Sequence, residues 1–196
     1  MLSFFNTQEK QIFMGNILFI VCCAFYLAWW LLAFNPSGAF DNIKTGWLLV
    51  PASIAGLAGV ILIVQGMLQG MPAEKPVSQL LNSRYILWGG IALYLILLAV
   101  TVLLLKRPAT MELILIVGWG MLALAEINTL FGIGLFSHAL SAVIISLVCA
   151  AVVISLVCYT LYYHLDSRAG YIDGMIPLLL SALSMAIISG FMVGRV

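Results

Sequence analysis

Six apolar stretches fill most of this chain, and each is long enough to cross a membrane as a helix. They lie near 11–34, 46–70, 85–105, 111–136, 139–163 and 171–194. Spanning the hydrocarbon core takes about 20 apolar residues. Of the 196 residues, 64% are hydrophobic and only 8% are charged, against about 25% charged in a soluble domain. So few charges do not cover a water-facing surface. The expected fold is an all-α membrane protein, a single integral membrane domain over 1–196 with six transmembrane helices. An even number of crossings puts both termini on one face. The expected location is the cell membrane, multi-pass, in contact with membrane lipid.

The first stretch is too long for the apolar region of a signal peptide, and no small-x-small cleavage site follows it. It is expected to remain as the first helix. Residues 1–10 read as an interfacial lead-in. Net charge is +1, with no basic patch for nucleic acid and no polybasic run for anionic lipid. Cys22, Cys23, Cys149 and Cys158 all fall inside apolar segments and form no C-x-x-C pair. They read as small apolar packing residues.

The connections are short. Residues 35–45 carry Asn-Pro and Ser-Gly turn formers, 71–84 is the longest link, and 106–110 is a tight turn whose Pro108 can start the next helix. Very few residues separate segments four and five near Ser137 and His138, so these two are expected to be antiparallel neighbours. Taking the N-terminal side as side A, Lys10, Lys75, Arg84 and Arg195 fall there. Lys44, Lys106, Arg107 and Arg168 fall on side B. The positive-inside rule counts only Lys and Arg, and the tie leaves the cytoplasmic face open.

Such a tie suits two inverted three-helix repeats, 11–105 and 111–196. Without gaps, Ile20, Val21, Gly38 and Phe40 align with Ile116, Val117, Gly134 and Phe136. Ser83-Arg84 and Ser167-Arg168 each precede a Tyr-Ile. Inverted three-plus-three repeats recur in transporters, with the site near midplane between the halves; composition alone also makes apolar helices resemble one another.

Small residues every four positions let helix backbones approach closely. Ala182, Ala186, Gly190 and Gly194 form such a stripe in the last segment, Ala142, Ser146 and Ala150 one in the fifth, and Ala52, Gly56 and Gly59 one in the second, with Gly66 and Gly70 as a further pair. The first of these stripes is expected to face another helix. Trp29, Trp30, Trp47, Tyr162, Tyr163 and Tyr171 at side B, and Tyr85 and Trp88 at side A, read as an aromatic belt.

Glu126 is the residue that points to chemistry. It sits near the middle of its apolar segment, where a carboxylate is costly and usually faces a bundle interior or wet cavity. Trp119, Ala123 and Leu130 share its helix face; Asn128 and Thr129 point elsewhere. No Lys or Arg shares its span, so it must be protonated, bind a cation, contact water or pair across helices. Asn16 and Gln65 lie deep enough to be partners. The alternative is structural: a hydrogen-bonded carboxyl that ties helices together. Asp173, in YIDGMIP, lies near the expected start of the last helix, where it meets the positive end of the helix dipole; Pro177, one turn on, can disturb the backbone ladder. The expected ion or substrate site is thus Glu126, Trp119, Asn16, Gln65 and Asp173.

No catalytic residue, metal site or cofactor is expected. His138 and His164 are 26 residues apart along one apolar segment, about 39 Å on an α-helix, so they cannot clasp one haem iron. No Ser-His-Asp arrangement, H-E-x-x-H or phosphate loop is present. The run Trp119-Gly120-Met121-Leu122 with Glu126 and Asn128 resembles a helix of the six-helix urea and amide channels. The likeness covers under a tenth of the chain and falls on helix four where that family has it on helix five; it implies small-solute conduction.

The expected function is a non-enzymatic transporter or channel for a small solute or ion, with a proton- or cation-linked carboxylate. The alternative is an accessory subunit of a larger membrane complex, self-associated or joined to a membrane partner. A transporter calls for a polar cavity inside one protomer; a subunit calls for small-residue ridges facing outward.

Overall fold

The computed structural model of the chain describes residues 6–37, 44–69, 83–100, 103 and 111–194. Among the described residues the fold is all-helical, with no strand. The helices are α1 (Thr7–Ala33), α2 (Leu49–Gln69, entered through a 3₁₀ turn at Thr45–Leu48), α3 (Ser83–Ala99), α4 (Met111–Gly132), α5 (His138–Leu161), α6 (Ser167–Asp173) and α7 (Ile176–Val193). Five spans are long and apolar enough to cross a membrane: α1, α2 with its 3₁₀ entry, α4, α5, and α6 with α7. The sixth, α3, is apolar but shorter over its described residues, and most of 101–105, the end of the expected segment, lies outside them. Gly38, Phe40, Gly70, Lys75 and the 106–110 turn lie outside the described residues, as do the side chains of Arg84, Tyr85, Glu112 and Tyr163. No superposition of one half on the other is shown.

Local chemistry explains several helix ends. Residues 7–10, expected as a lead-in, are helical because Asn6 and Glu9 form a capping box: Glu9 N–H donates to Asn6 Oδ1 at 2.9 Å, and Asn6 N–H donates to Glu9 Oε2 at 3.2 Å. α4 stops in a Schellman turn. Gly134 takes φ 79°, Leu135 N–H donates to Leu130 O, and Gly134 N–H donates to Phe131 O. Only glycine adopts that backbone without strain. Ser137 then caps α5, accepting from Leu140 N–H at 3.3 Å, so α4 and α5 fold back on each other as antiparallel neighbours.

The last span is not the single helix expected from 171. It begins at Ser167, capped by Asp166, and breaks at Gly174-Met175 before α7. Pro177 has no N–H to give to the carbonyl of Asp173 one turn back, so the ladder interrupts there. Asp173 therefore ends α6 rather than starting the long helix. The aromatic groups around this break do more than line an interface. Trp30 is buried; its Nε1 donates to Tyr171 O at 3.0 Å, and Tyr171 Oη donates to Leu31 O at 3.1 Å. The Trp30 indole lies directly against Gly174, where any Cβ would collide with it.

Helix order in space differs from order in sequence. α1 packs on α2 and α7; α7 packs on α5; α4 packs on α3, α5 and α7 and touches α2. α4 is the most enclosed of the five spans, and the core gathers around Ala123, Ile127 and Leu130 of α4 with Ile12, Ile63, Ile144, Met185 and Ile188. Ile54, Leu57, Leu95, Val153 and Leu183 point outward, while Asn16, Glu126, Asn128, Ser141, Ser155 and Ser189 are buried. Large apolar side chains on the outside and the polar ones turned inside suit lipid as the surrounding solvent.

The small-residue stripes divide by this geometry. On α2, Ala52 is buried, and Gly56, Gly59 and Gly66 face α1. A Cβ at Gly59 would stand 2.8 Å from Gly15 O and 3.1 Å from Phe19 N, so the two backbones nearly touch. The α7 stripe does the opposite: Ala186, Gly190 and Gly194 are exposed, and a Cβ at Gly190 would meet nothing within 4 Å. α7 turns Ser181, Ser184, Met185, Ile188 and Ser189 inward instead. Ala142, Ser146 and Ala150 on α5 are exposed as well. Spacing shows that a stripe exists, but not which way it faces.

Candidate functional site

Glu126 and Asn16 meet inside the bundle. Both side chains are 0% exposed, and Asn16 Nδ2 donates to Glu126 Oε1 at 2.6 Å. The two residues are 110 positions apart in sequence, and their bond ties α1 to α4. Asn16 lies nine residues into α1 from side A, and Glu126 lies six residues before the end of α4 on the same side. At the α-helical rise these depths are roughly 13 and 9 Å. The pair therefore sits in the side-A half of the bundle, nearer that face than the centre of the apolar segment implies. α4 ends at Gly132, so the last four residues of that apolar stretch, 133–136, belong to the loop before α5.

The pair is only half satisfied. Asn16 Oδ1 and Glu126 Oε2 have no partner among the described residues. They have company: Gln8 Nε2, Gln11 Oε1, Ser141 Oγ and Ser189 Oγ are also buried without partners. Gln8 and Gln11 belong to the first two turns of α1, Ser141 to the first turn of α5, and Ser189 to the penultimate turn of α7. All are side-A positions. Serines elsewhere in the bundle are satisfied through their own helices: Ser155 donates to Ala151 O, Ser181 to Leu178 O and Ser184 to Leu180 O. An orphaned buried polar group costs about 1–3 kcal/mol. Among the described residues six of the eight such atoms lie in the side-A half, where ordered water would relieve them; the other two, Trp119 Nε1 and Asp173 Oδ2, lie toward side B.

The remaining expected site residues fall elsewhere. Trp119 is buried on the same face of α4, seven residues or about 10 Å toward side B; its Nε1 has no partner. Gln65 is exposed on the outer face of α2 and is not a neighbour of Glu126: the α2 face turned inward is the Gly59–Ile63–Gly66 face, and Gln65 lies off it. Asp173 is buried at the opposite end of the bundle, where its carboxylate stands against the Cys158 thiol. The structure thus assembles Asn16 with Glu126, places Trp119 above them and separates Gln65 and Asp173. Asn128 is buried beside Glu126 but on another face, and Thr129 Oγ1 donates back to Ala125 O. Ser141 and Ser189 escaped sequence reasoning because an isolated serine in an apolar helix is common; only packing shows which serines lack a backbone partner.

An apolar groove of about 350 Å³ opens between α3, α4 and α5, lined by Gly90, Val117, Met121, Leu124 and Val152 among others. Glu126 is two residues from Leu124, about 200° around the helix, so the groove does not reach it. His138 opens α5 against the Phe131 ring, and His164 closes the turn beyond its far end. Among the described residues no three His, Cys, Asp or Glu side chains cluster as a metal site.

No protein-family model matches the chain, and no curated protein or solved structure does either.

Proposed function

We propose that this chain is a non-enzymatic membrane transporter or channel for a small solute or ion, in which the Asn16–Glu126 pair is the proton- or cation-linked element. One observation carries the reading: among the described residues, six of the eight buried polar atoms without partners lie in the side-A half around Glu126, on α1, α4, α5 and α7. That arrangement suits a water-filled approach from side A which ends at the pair. Intramembrane carboxylates facing a bundle interior mark ion and solute pathways. Trp119 then bounds the site on its side-B flank, with Ala123 between them on the same face.

A second reading is favoured by a different observation. The outward stripes Ala142–Ser146–Ala150 and Ala186–Gly190–Gly194 are the ridges that an accessory subunit would offer to a second copy or a membrane partner. In that case the Asn16–Glu126 bond is a structural tie.

Proteoliposomes separate the two. Vesicles holding the purified protein and a trapped pH-sensitive dye are given a pH gradient, with sodium or potassium gradients added in turn. Swelling in urea and acetamide is followed in parallel. The transport reading expects flux or swelling that depends on pH in the wild type and loses that dependence in Glu126→Gln. Equal, equally pH-dependent activity in Glu126→Gln overturns it. So does the absence of any flux, coupled with cross-linking of a Gly190→Cys protein to another polypeptide in native membranes.

A further inference from the structure

The two atoms that the Asn16–Glu126 contact leaves unpaired are the two that one proton would join. A carboxamide presents an N–H donor and a C=O acceptor on one edge. A protonated carboxyl presents the complementary edge, one acceptor and one O–H donor. In this structure Asn16 Nδ2 already donates to Glu126 Oε1, while Asn16 Oδ1 and Glu126 Oε2 remain without partners.

We infer that Glu126 is held as a neutral carboxylic acid in a two-bond cyclic pair with Asn16, and that the ion this site binds and releases is a proton rather than a metal cation. Oε2–H donates to Oδ1, Nδ2–H donates to Oε1, and every polar atom of the pair except the second amide hydrogen is satisfied. The inference rests on the transport reading only for what the proton is used for; the pairing is argued from the Nδ2–Oε1 bond and the two buried oxygens it leaves without partners.

Ionisation has a defined structural consequence. Loss of the proton from Oε2 leaves a carboxylate and removes the bond to Oδ1. Two acceptor oxygens then face each other in a water-poor interior, where like partial charges repel strongly. One of the two links between α1 and α4 becomes a repulsion. The proton leaves toward the side-A polar layer, whose orphaned groups are Gln8, Gln11, Ser141 and Ser189. Proton release thus loosens α1 from α4 in the half of the bundle that carries unmatched polar groups, and rebinding closes the seam.

The surroundings favour the proton over a metal. Hard cations take about six oxygen ligands. The pair offers two unpaired oxygens, and among the described residues no further acidic, His or Cys cluster joins it. Among the described residues no basic group pairs with Glu126. α2 and α7 carry no titratable side chain. α5 brings His138, exposed at its first residue against Phe131, with Cys149, Cys158 and Tyr159 farther toward side B. α1 brings Glu9 and Lys10 near its start, and Cys22, Cys23 and Tyr26 beyond Asn16; α3 contributes Arg84, Tyr85 and Tyr94.

The test is the vibrational and magnetic signature of the acid itself. Full-length protein in lipid nanodiscs is studied near neutral pH by infrared difference between wild type and Glu126→Gln, first in choline salt and then with sodium or potassium. A carboxylic-acid C=O band is expected in the wild type in all three salts. It is lost in Glu126→Gln and shifted in Asn16→Ser. Solid-state NMR of wild-type protein carrying ¹³C-labelled glutamate gives the same answer without a variant. A carboxylate signal in choline salt overturns the inference, as does an acid band that sodium or potassium removes, or one indifferent to Asn16→Ser. The outcomes separate from those of the transport assay. An acid band without flux overturns transport and keeps the pair; Glu126-dependent flux with a carboxylate signal does the reverse.

Discussion

Replacing Gly59 with alanine should weaken the protein, whereas the same change at Gly190 should not. At Gly59 the added Cβ would stand 2.8 Å from Gly15 O, 3.1 Å from Phe19 N and 3.4 Å from Leu18 Cβ. The two nearest atoms are backbone and cannot swing away. Restoring ordinary contact requires α1 and α2 to part by about 0.6 Å, and a gap of 0.5–1 Å forfeits roughly a quarter to a half of each dispersion contact along the seam. The loss is shared by the contacts of Gly66 with Ile12 and of Gly15 with Ile63. Overpacking of this kind typically costs about 1–3 kcal/mol. Alanine returns up to about 1 kcal/mol of helix propensity, so Gly59→Ala is expected to lose about 1–2 kcal/mol net. At Gly190 nothing lies within 4 Å, so only the propensity gain remains and stability should stay level or rise by up to about 1 kcal/mol. Reversible unfolding of both variants in bicelles, followed by steric trapping, measures the difference. Equal stability of Gly59→Ala and wild type, or a loss in Gly190→Ala larger than in Gly59→Ala, would refute this account of the α1–α2 seam.

Other outcomes can be checked alongside. A double-mutant cycle on Asn16→Leu and Glu126→Leu should give a coupling of about 0.6–1.7 kcal/mol, the range seen for hydrogen bonds between membrane helices; a coupling of zero would mean the 2.6 Å bond does not hold α1 to α4. Glu126→Gln should unfold within about 0.5 kcal/mol of wild type, because Gln can make both bonds to Asn16, and a larger loss argues against an amide-like neutral partner. Trp30→Phe should cost about 0.5–1.5 kcal/mol through the lost donor to Tyr171 O, measured by the same unfolding assay. In a cysteine-free background, single cysteines at Thr7 and Ser137 should react with an impermeant maleimide from one side of the membrane, and those at Ser37 and Arg168 from the other; labelling of Ser37 and Ser137 from the same side would break the six-crossing topology.

Much of this protein was legible before any tertiary information. Apolar run lengths and the scarcity of charge are local quantities, and they specify helices in a membrane because no other use of such segments satisfies the backbone. They located α1, α2, α4 and α5 to within a few residues, and they singled out Glu126 because a carboxylate in that setting is costly wherever the helix points. Asn16 was marked for the same reason, as a polar side chain at depth. Facing direction is another matter. Helices apolar around their whole circumference carry no amphipathic signal, so sequence could not say that Gly59 is pressed against Gly15 while Gly190 stands open, or that Gln65 looks away from the site. Nor could it foresee that Trp30 would leave the expected belt to hold the α6–α7 break. Those outcomes depend on which helix lies beside which, and α1 meets α4 only because both are arranged around α7 and α2. The sequence by itself determined that the chain is a set of helices long and apolar enough to cross a membrane, with a costly carboxylate in one of them. The tertiary structure decided that Glu126 is closed on Asn16 in the side-A half, because only packing brings two residues 110 positions apart within 2.6 Å.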